Sequence, residues 1–337
     1  MCSDNIKSLN KEIRCYLRDA GKSIEMTRRA VVLFPGSLGD FLCALPALRA
    51  IGCLSPQGVE FIGRERLFEI AQQLPFIRKT VSIDAGYFAN LFTCHSAARS
   101  EVLSLFSSAS HIFSWFGHAH PEVRVNLEKI APGRVQSFDF FVGQEDCHVS
   151  AYYLRCVGVQ EIRCPSLILG KKEEQWLDYY WAACGWHSLS KVLVIHPGSG
   201  GKRKRWEVNG FRTVTRWWRE KRHNQVLILL GPAEEQEEAL WRQFGKVEKD
   251  LSLLQVAALL SRATAYIGND SGVSHLAGAV GARGVVLFGP TCPQRWRPLG
   301  GSLSVLQNGC YRAKMPHVSG ISLSEISAEE VITALRQ

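Results

Sequence analysis

From residue 30 onward, short runs of β-branched and apolar residues alternate with longer segments whose apolar positions recur every three or four residues. Strand-length runs at 30–34 and 59–62 bracket a helical pattern at 40–51, which is the βαβ rhythm of a parallel sheet covered by helices. A strand near 110–113 continues the series. The rest of 85–137 is hard to parse, because it is crowded with aromatics (Tyr87, Phe88, Phe92, Phe106, Phe113, Trp115, Phe116) and histidines. A second series opens with a strand at 192–196. It continues through helix 208–222, strand 226–230, helices 234–244 and 251–261, strand 265–268, helix 273–280 and strand 284–288. The expected fold class is therefore α/β, with two Rossmann-like, doubly wound units in tandem. Their expected bounds are 26–175 and 191–337, joined by a tryptophan-rich stretch at 176–190.

The first 25 residues stand apart from this rhythm. Ile6, Leu9, Ile13 and Leu17 share helical spacing, and the polar side carries Lys7, Lys11, Arg14, Arg18 and Lys22 against Asp4, Glu12 and Asp19. An amphipathic helix is expected there, either packed on the protein body or lying on a membrane surface. A start of translation at Met26 is a third reading. A chain of 337 residues exceeds what one core usually serves. Hydrophobic residues at 46% and charged residues at 21% are those of a globular chain, and no apolar stretch approaches the ~20 residues of a membrane-spanning helix. The net charge of +9, from 40 Lys and Arg against 31 Asp and Glu, favours an anionic partner. Eleven cysteines lie scattered with no C-x-x-C pair and no signal peptide before them, so they read as reduced thiols of a cytoplasmic protein.

Three loops carry residues suited to chemistry, and each follows an expected strand. The first is Phe34-Pro35-Gly36-Ser37-Leu38-Gly39-Asp40, where two glycines permit close backbone approach and Asp40 stands at a helix N-terminus that favours its ionised form. A carboxylate at the end of a strand suits a general base, and a simple helix cap is the competing reading. The second is His196-Pro197-Gly198-Ser199-Gly200-Gly201-Lys202-Arg203-Lys204-Arg205-Trp206. Its glycines free backbone N–H groups to face an anion, and four consecutive cations supply charge that a metal would otherwise provide, so it reads as a phosphate site. The third is Gly268-Asn269-Asp270-Ser271-Gly272-Val273-Ser274-His275, in which Asp270 or Ser271 is placed to cap the helix while free N–H groups of its first turn form an anion cradle. His275 reads either as part of this site or as a core histidine. No D-x-D motif occurs, and His118 and His120 with His111 lack the partners of a zinc site, so no metal is expected.

Together these loops resemble glycosyltransferase family 9, the bacterial heptosyltransferases of the lipopolysaccharide inner core. The resemblance runs from about Val31 to Pro298 through G-S-L-G-D, L-P-A-L, H-P-G-S-G-G-K-R-K-R-W, G-N-D-S-G-V-S-H-L-A-G-A-V-G and L-F-G-P-T. It implies the GT-B architecture, two Rossmann-like domains facing a cleft, with acceptor held mainly by the first and nucleotide sugar by the second. Asp40 would then be the general base, with Gly36, Ser37 and Gly39 in the acceptor-side loop. Lys204 would meet the donor phosphates and Asp270 would be the acid of the donor site. Ser199 and Gly200 would lie beside the diphosphate, Ser271, Gly272 and His275 would line the donor site, and Glu234 or Glu235 would hold the ribose.

The reaction implied is inverting transfer of heptose or a related sugar from an ADP-sugar to a phosphorylated, lipid-linked saccharide. It would need no metal or other cofactor and no nucleic acid partner, and would take place in the cytoplasm or at the inner face of the inner membrane. Another nucleotide-sugar donor, or an epimerase or hydrolase on the same fold, is the alternative. Glu207, Arg283 and Cys292 depart from the family pattern.

Overall fold

The structure is a computed structural model and describes residues 29–93, 100–117, 119–140, 147–159, 164–221, 223–307 and 323–337. The amphipathic helix expected at 1–25 lies outside them, as does His118. Among the described residues there are two sheets, and every strand pairing in them is parallel. The first has five strands, β1 (Ala30–Leu33), β2 (Val59–Gly63), β3 (Ile77–Ser82), β4 (His111–Ser114) and β5 (Val135–Ser137), in the order β3-β2-β1-β4-β5. The second has six, β6 (Lys191–His196), β7 (Asn224–Leu229), β8 (Lys246–Glu248), β9 (Ala265–Asn269), β10 (Arg283–Leu287) and β11 (Ser302–Leu306), in the order β11-β10-β9-β6-β7-β8. The α/β, doubly wound class expected from the alternating pattern is what the chain adopts.

The longer helices are α1 (Leu38–Leu54), α2 (Pro121–Ile130), α3 (Val149–Cys156), α4 (Lys171–Ala183), α5 (Val208–Arg219), α6 (Leu253–Arg262), α7 (Gly272–Ala279) and α8 (Ala328–Arg336). By internal contacts the chain divides into two compact units. The first comprises Met1–Ser37, Ala44–Glu145 and Val149–Arg163, and the second Leu38–Cys43, Asp146–His148 and Cys164–Gln337. The tryptophan-rich helix α4 and the first six residues of α1 thus count with the second unit. In the first unit, Phe88, Leu91, Phe106, Val123 and Leu127 share one buried cluster with Leu33, Ile62 and Ile112 of the sheet. In the second, Phe211, Val214 and Trp218 of α5 and Val331 and Ile332 of α8 share another with Leu193, Ile195, Ile228, Ile267 and Leu287.

Sequence periodicity finds β1, β2, β4, β6, β7, β9 and β10, and it misses β3, β5, β8 and β11. The missed strands are the outermost of each sheet. An edge strand is not covered on all sides, so it needs no continuous apolar run; β3 (Ile-Arg-Lys-Thr-Val-Ser) has no fully buried residue, whereas all of β1 is buried.

Two helices differ from expectation. The helix expected over 208–222 ends at Arg219, where Asn224 Nδ2 donates to the carbonyl of Trp218 at 2.7 Å and His223 takes a φ of 68°. The helix expected over 234–244 breaks into a 3-10 turn (Glu235–Glu237) and one α-turn (Glu238–Trp241). Here Glu234 turns back to the N–H of Gly231, and Glu237 reaches Arg205 and Trp241. The cysteines among the described residues are free thiols, and no described helix is long and apolar enough to cross a membrane.

Both sheets reverse their strand order once, between β1 and β4 in the first and between β6 and β9 in the second. Connections leaving such a pair of strands run in opposite directions and open a crevice at the carboxyl ends. All three loops singled out in the sequence leave strands that flank these points: the Asp40 loop leaves β1, the cationic loop leaves β6, and the Asp270 turn leaves β9.

Candidate functional site

In the second unit, His196 at the end of β6 stands beside Gly268 of β9 in register, so the loops that follow emerge side by side. A fully buried amide joins them. Asn269 accepts the backbone N–H of Trp206 on Oδ1 (3.0 Å) and donates from Nδ2 to the carbonyl of Pro197 (2.7 Å). Its own carbonyl accepts the hydroxyl of Ser274 (2.6 Å), which also meets the phenol of Tyr266 (2.9 Å). Trp206 is buried, packs edge-on against Phe211 at 4.9 Å and donates from Nε1 to the carbonyl of Ile326 (3.0 Å). The cationic run is therefore pinned at its tryptophan end, while the α-carbons of Gly200 and Gly201 have open space around them.

The four cations of this loop divide into two pairs. Lys202 and Arg203 are exposed in the 3-10 turn Lys202–Lys204. Lys204 pairs with the buried carboxylate of Asp270, Nζ to Oδ2 at 2.8 Å. Arg205 turns inward to Glu234 (2.5 Å) and Glu237 (3.2 Å). A Cβ at Gly198 would run into the Glu234 carboxylate, so only glycine admits that approach. Burial pushes the Glu234 carboxyl up, and Arg205 opposes the shift. Of the two glutamates singled out in the sequence, Glu234 therefore lies under Gly198 of the cationic loop, whereas Glu235 is exposed and pairs with Lys249 at 3.4 Å.

The turn after β9 resolves which residue caps α7. Ser271 is the N-cap, its Oγ accepting the N–H of Ser274 (3.4 Å). The Asp270 carboxylate is thus left to Lys204, and the Asp270 carbonyl accepts the hydroxyl of the buried Ser199 at 2.6 Å. Gly272 opens the helix and sits against Leu38 and Gly39, the start of α1 that counts with this unit. In that segment Gly36 is buried, Ser37 exposed, and Asp40 is the third residue of α1, within its first turn rather than ahead of it. Gly39 packs on the ring of His275, where an added Cβ would stand 3.2 Å from Cδ2.

His275 lies in the core beneath these groups, and its Nδ1 is 3.5 Å from the sulfur of Cys43. Burial lowers its pKa to about 4, against the upward pull of Asp270 and Asp40, with His148 and Lys204 adding to the decrease. His196 also falls to about 4, chiefly through burial, although its Nδ1 donates to the carbonyl of Leu229 at 2.9 Å. Both rings are neutral at pH 7, so positive charge at the site comes from Lys and Arg alone. Burial, helped by Asp40 and Asp270, drives the Cys43 thiol well up and leaves it protonated. Among the described residues no cluster of His, Cys, Asp or Glu has the makings of a metal site.

The sequence reading brought forward the charged residues and overlooked their supports: Asn269, Tyr266, Ser274 and Trp206 as an anchor, together with Cys43. Asn269 and Ser274 lay inside a quoted motif, and a small polar residue beside a buried strand end was the available signal.

The sequence model of glycosyltransferase family 9 (heptosyltransferase) matches residues 171–321. No curated protein matches the chain by sequence. Among solved structures, the family 9 glycosyl transferase from Veillonella parvula is similar with a TM-score of 0.72 at 18% identity, over 93% of this chain and 97% of that one. The ADP-heptose lps heptosyltransferase II of E. coli gives 0.69 at 17% identity, over 91% and 97%. The E. coli heptosyltransferase WaaC, solved with ADP, gives 0.64 at 17%, over 91% and 99%.

Two outcomes are expected. Asn269→Ala leaves the N–H of Trp206 and the carbonyl of Pro197 buried without their partner, and should cost about 3 kcal/mol in urea denaturation; a loss below ~1 kcal/mol would show that the loops hold without it. Lowering pH from 7 to 5 should reduce stability by about 2 kcal/mol for each of His196 and His275. The sign follows from pKa values depressed to about 4, since below about 6.5 the unfolded chain binds protons that the folded chain refuses. Thermal melts of wild type and His275→Gln across this range measure the second contribution as the difference in slope.

Proposed function

We propose, from the premise that residues 171–321 belong to glycosyltransferase family 9 and that the chain is a glycosyltransferase, that it moves heptose or a related sugar from an ADP-linked donor, with inversion, onto a phosphorylated lipid-linked saccharide. The observation that carries this reading is the Lys204–Asp270 pair at the head of α7, in a glycine-rich loop at the strand-order reversal of the second sheet. Such a place gathers backbone N–H groups, a helix N-terminus and cations around one anion. The donor diphosphate lies there, against Lys204, the glycines beside Ser199 and the first turn of α7 at Ser271 and Gly272. His275 supports that turn from below as a neutral ring. Glu234 is the better placed of the two glutamates for the donor ribose, because it already underlies Gly198. The ADP or ADP-heptose named for the E. coli relatives supports adenine as the base.

Asp40 is the general base. It takes the proton of the acceptor hydroxyl as that oxygen bonds to the anomeric carbon and the carbon–phosphate oxygen bond breaks. The electron pair leaves on ADP, whose added charge is met by Lys204, Lys202, Arg203 and the N–H groups of α7. Lys202, Arg203 and the half-exposed Lys204 supply charge that a divalent ion would otherwise bring, which supports transfer without a metal. A net charge of +9 suits an acidic acceptor and an anionic membrane surface beside it.

Asp40→Ala and Lys204→Ala separate the two roles. The first should lower transfer at least ~100-fold with ADP affinity within a few-fold of wild type. The second should weaken ADP binding about tenfold in calorimetry, as loss of a charge-assisted contact does. Unchanged turnover in the aspartate variant removes it from the chemistry, and wild-type ADP affinity in the lysine variant moves the phosphates elsewhere. Transfer from ADP-heptose should also persist in EDTA; activity that needs an added metal overturns the cation argument.

A further inference from the structure

On the second unit, away from the loops just described, α5 and the turn after Trp241 enclose an open cavity of about 480 Å³ lined by Arg212, Thr215, Arg216, Arg219, Glu220, Gln243 and Phe244. Residues 212, 215, 216 and 219 fall on one stripe of the helix, since positions three and four apart are neighbours on its surface. None of the three arginines forms an ion pair with a carboxylate among the described residues. Arg212 is instead laid over the ring of Phe244 at 5.7 Å, which fixes its guanidinium at the wall. Glu220, exposed, is the single acid of the lining.

Arg216 and Arg219 do complement the partial negative charge at the end of α5. That role does not account for Arg212, two turns earlier, whose guanidinium is held at the same cavity.

We propose that this cavity is a second anion site, one that binds a phosphate group through the guanidinium forks of Arg212, Arg216 and Arg219. Arginine forks match phosphate oxygens in pairs, and the planar groups are weakly hydrated enough to be stripped of water. The phosphate comes either from a free phosphorylated molecule or from the headgroup of an anionic lipid. The site does not depend on the reading of the Asp40 and Lys204 loops.

Hydrogen exchange of the full chain with inorganic phosphate, against chloride at matched ionic strength, tests this. Vesicles of phosphatidylglycerol, against phosphatidylcholine, form the second arm. Peptides over 208–221 and 238–245 should gain protection, separately from any protection of 197–206 by the donor loop. The exposed pair Arg216→Ala and Arg219→Ala, combined in one variant that still melts cooperatively, should weaken that protection about tenfold in apparent affinity. Protection by inorganic phosphate assigns a free phosphate, and protection by phosphatidylglycerol vesicles alone assigns a headgroup. No protection of these peptides in either arm, or protection equal in the double-arginine variant, overturns the site.

Discussion

The amide of Asn269 is the point on which the second unit's candidate site rests. It ties the loop leaving β6 to the turn leaving β9, in a position with no access to water, through one accepted and one donated hydrogen bond. A buried amide so satisfied is directional in a way that apolar packing is not. It fixes where Trp206 starts and where Pro197 ends, and so holds between them the segment that carries Lys204 and Arg205. Ser274 and Tyr266 extend the same network under α7.

With the loops held, charge is sorted by depth. Arg205 goes inward to Glu234 and Glu237, Lys204 stands at the margin on Asp270, and Lys202 and Arg203 face solvent. The result is a graded patch in which Arg205 is held by two carboxylates, Lys204 shares one at a half-exposed margin, and the outer two cations have none among the described residues. The two histidines beneath add no charge, because burial outweighs the carboxylates that would hold a proton on His275. Their neutrality makes the site's positive potential independent of pH across the neutral range, while tying the stability of the unit to it.

How much was legible follows from what each residue faces. Interior strands such as β1 and β6 are covered on both faces, so their composition is forced toward unbroken apolar runs and they stand out in the sequence. The edge strands β3, β5, β8 and β11 are half-exposed, and their sequences carry little of that signal. The acidic run after β7 reads as helix by periodicity, yet Glu234 and Glu237 are drawn back to Arg205, a contact 29 and 32 residues away that local pattern does not contain. The same long-range pairing selected Ser271 over Asp270 as the cap of α7, since the aspartate was already engaged by Lys204.

The sequence by itself determined the α/β class, the tandem repetition of the doubly wound pattern, and the three loops that carry the candidate residues. These are properties of local composition: period, turn glycines and runs of like charge. Only the tertiary structure decided how each candidate pair is placed, Ser271 as the cap of α7 and Glu234 beneath Gly198 of the cationic loop. It also placed His275 as a neutral core ring and revealed the arginine-lined cavity on α5. Those outcomes depend on burial and on partners distant in the chain, and neither is encoded in the residues immediately around them.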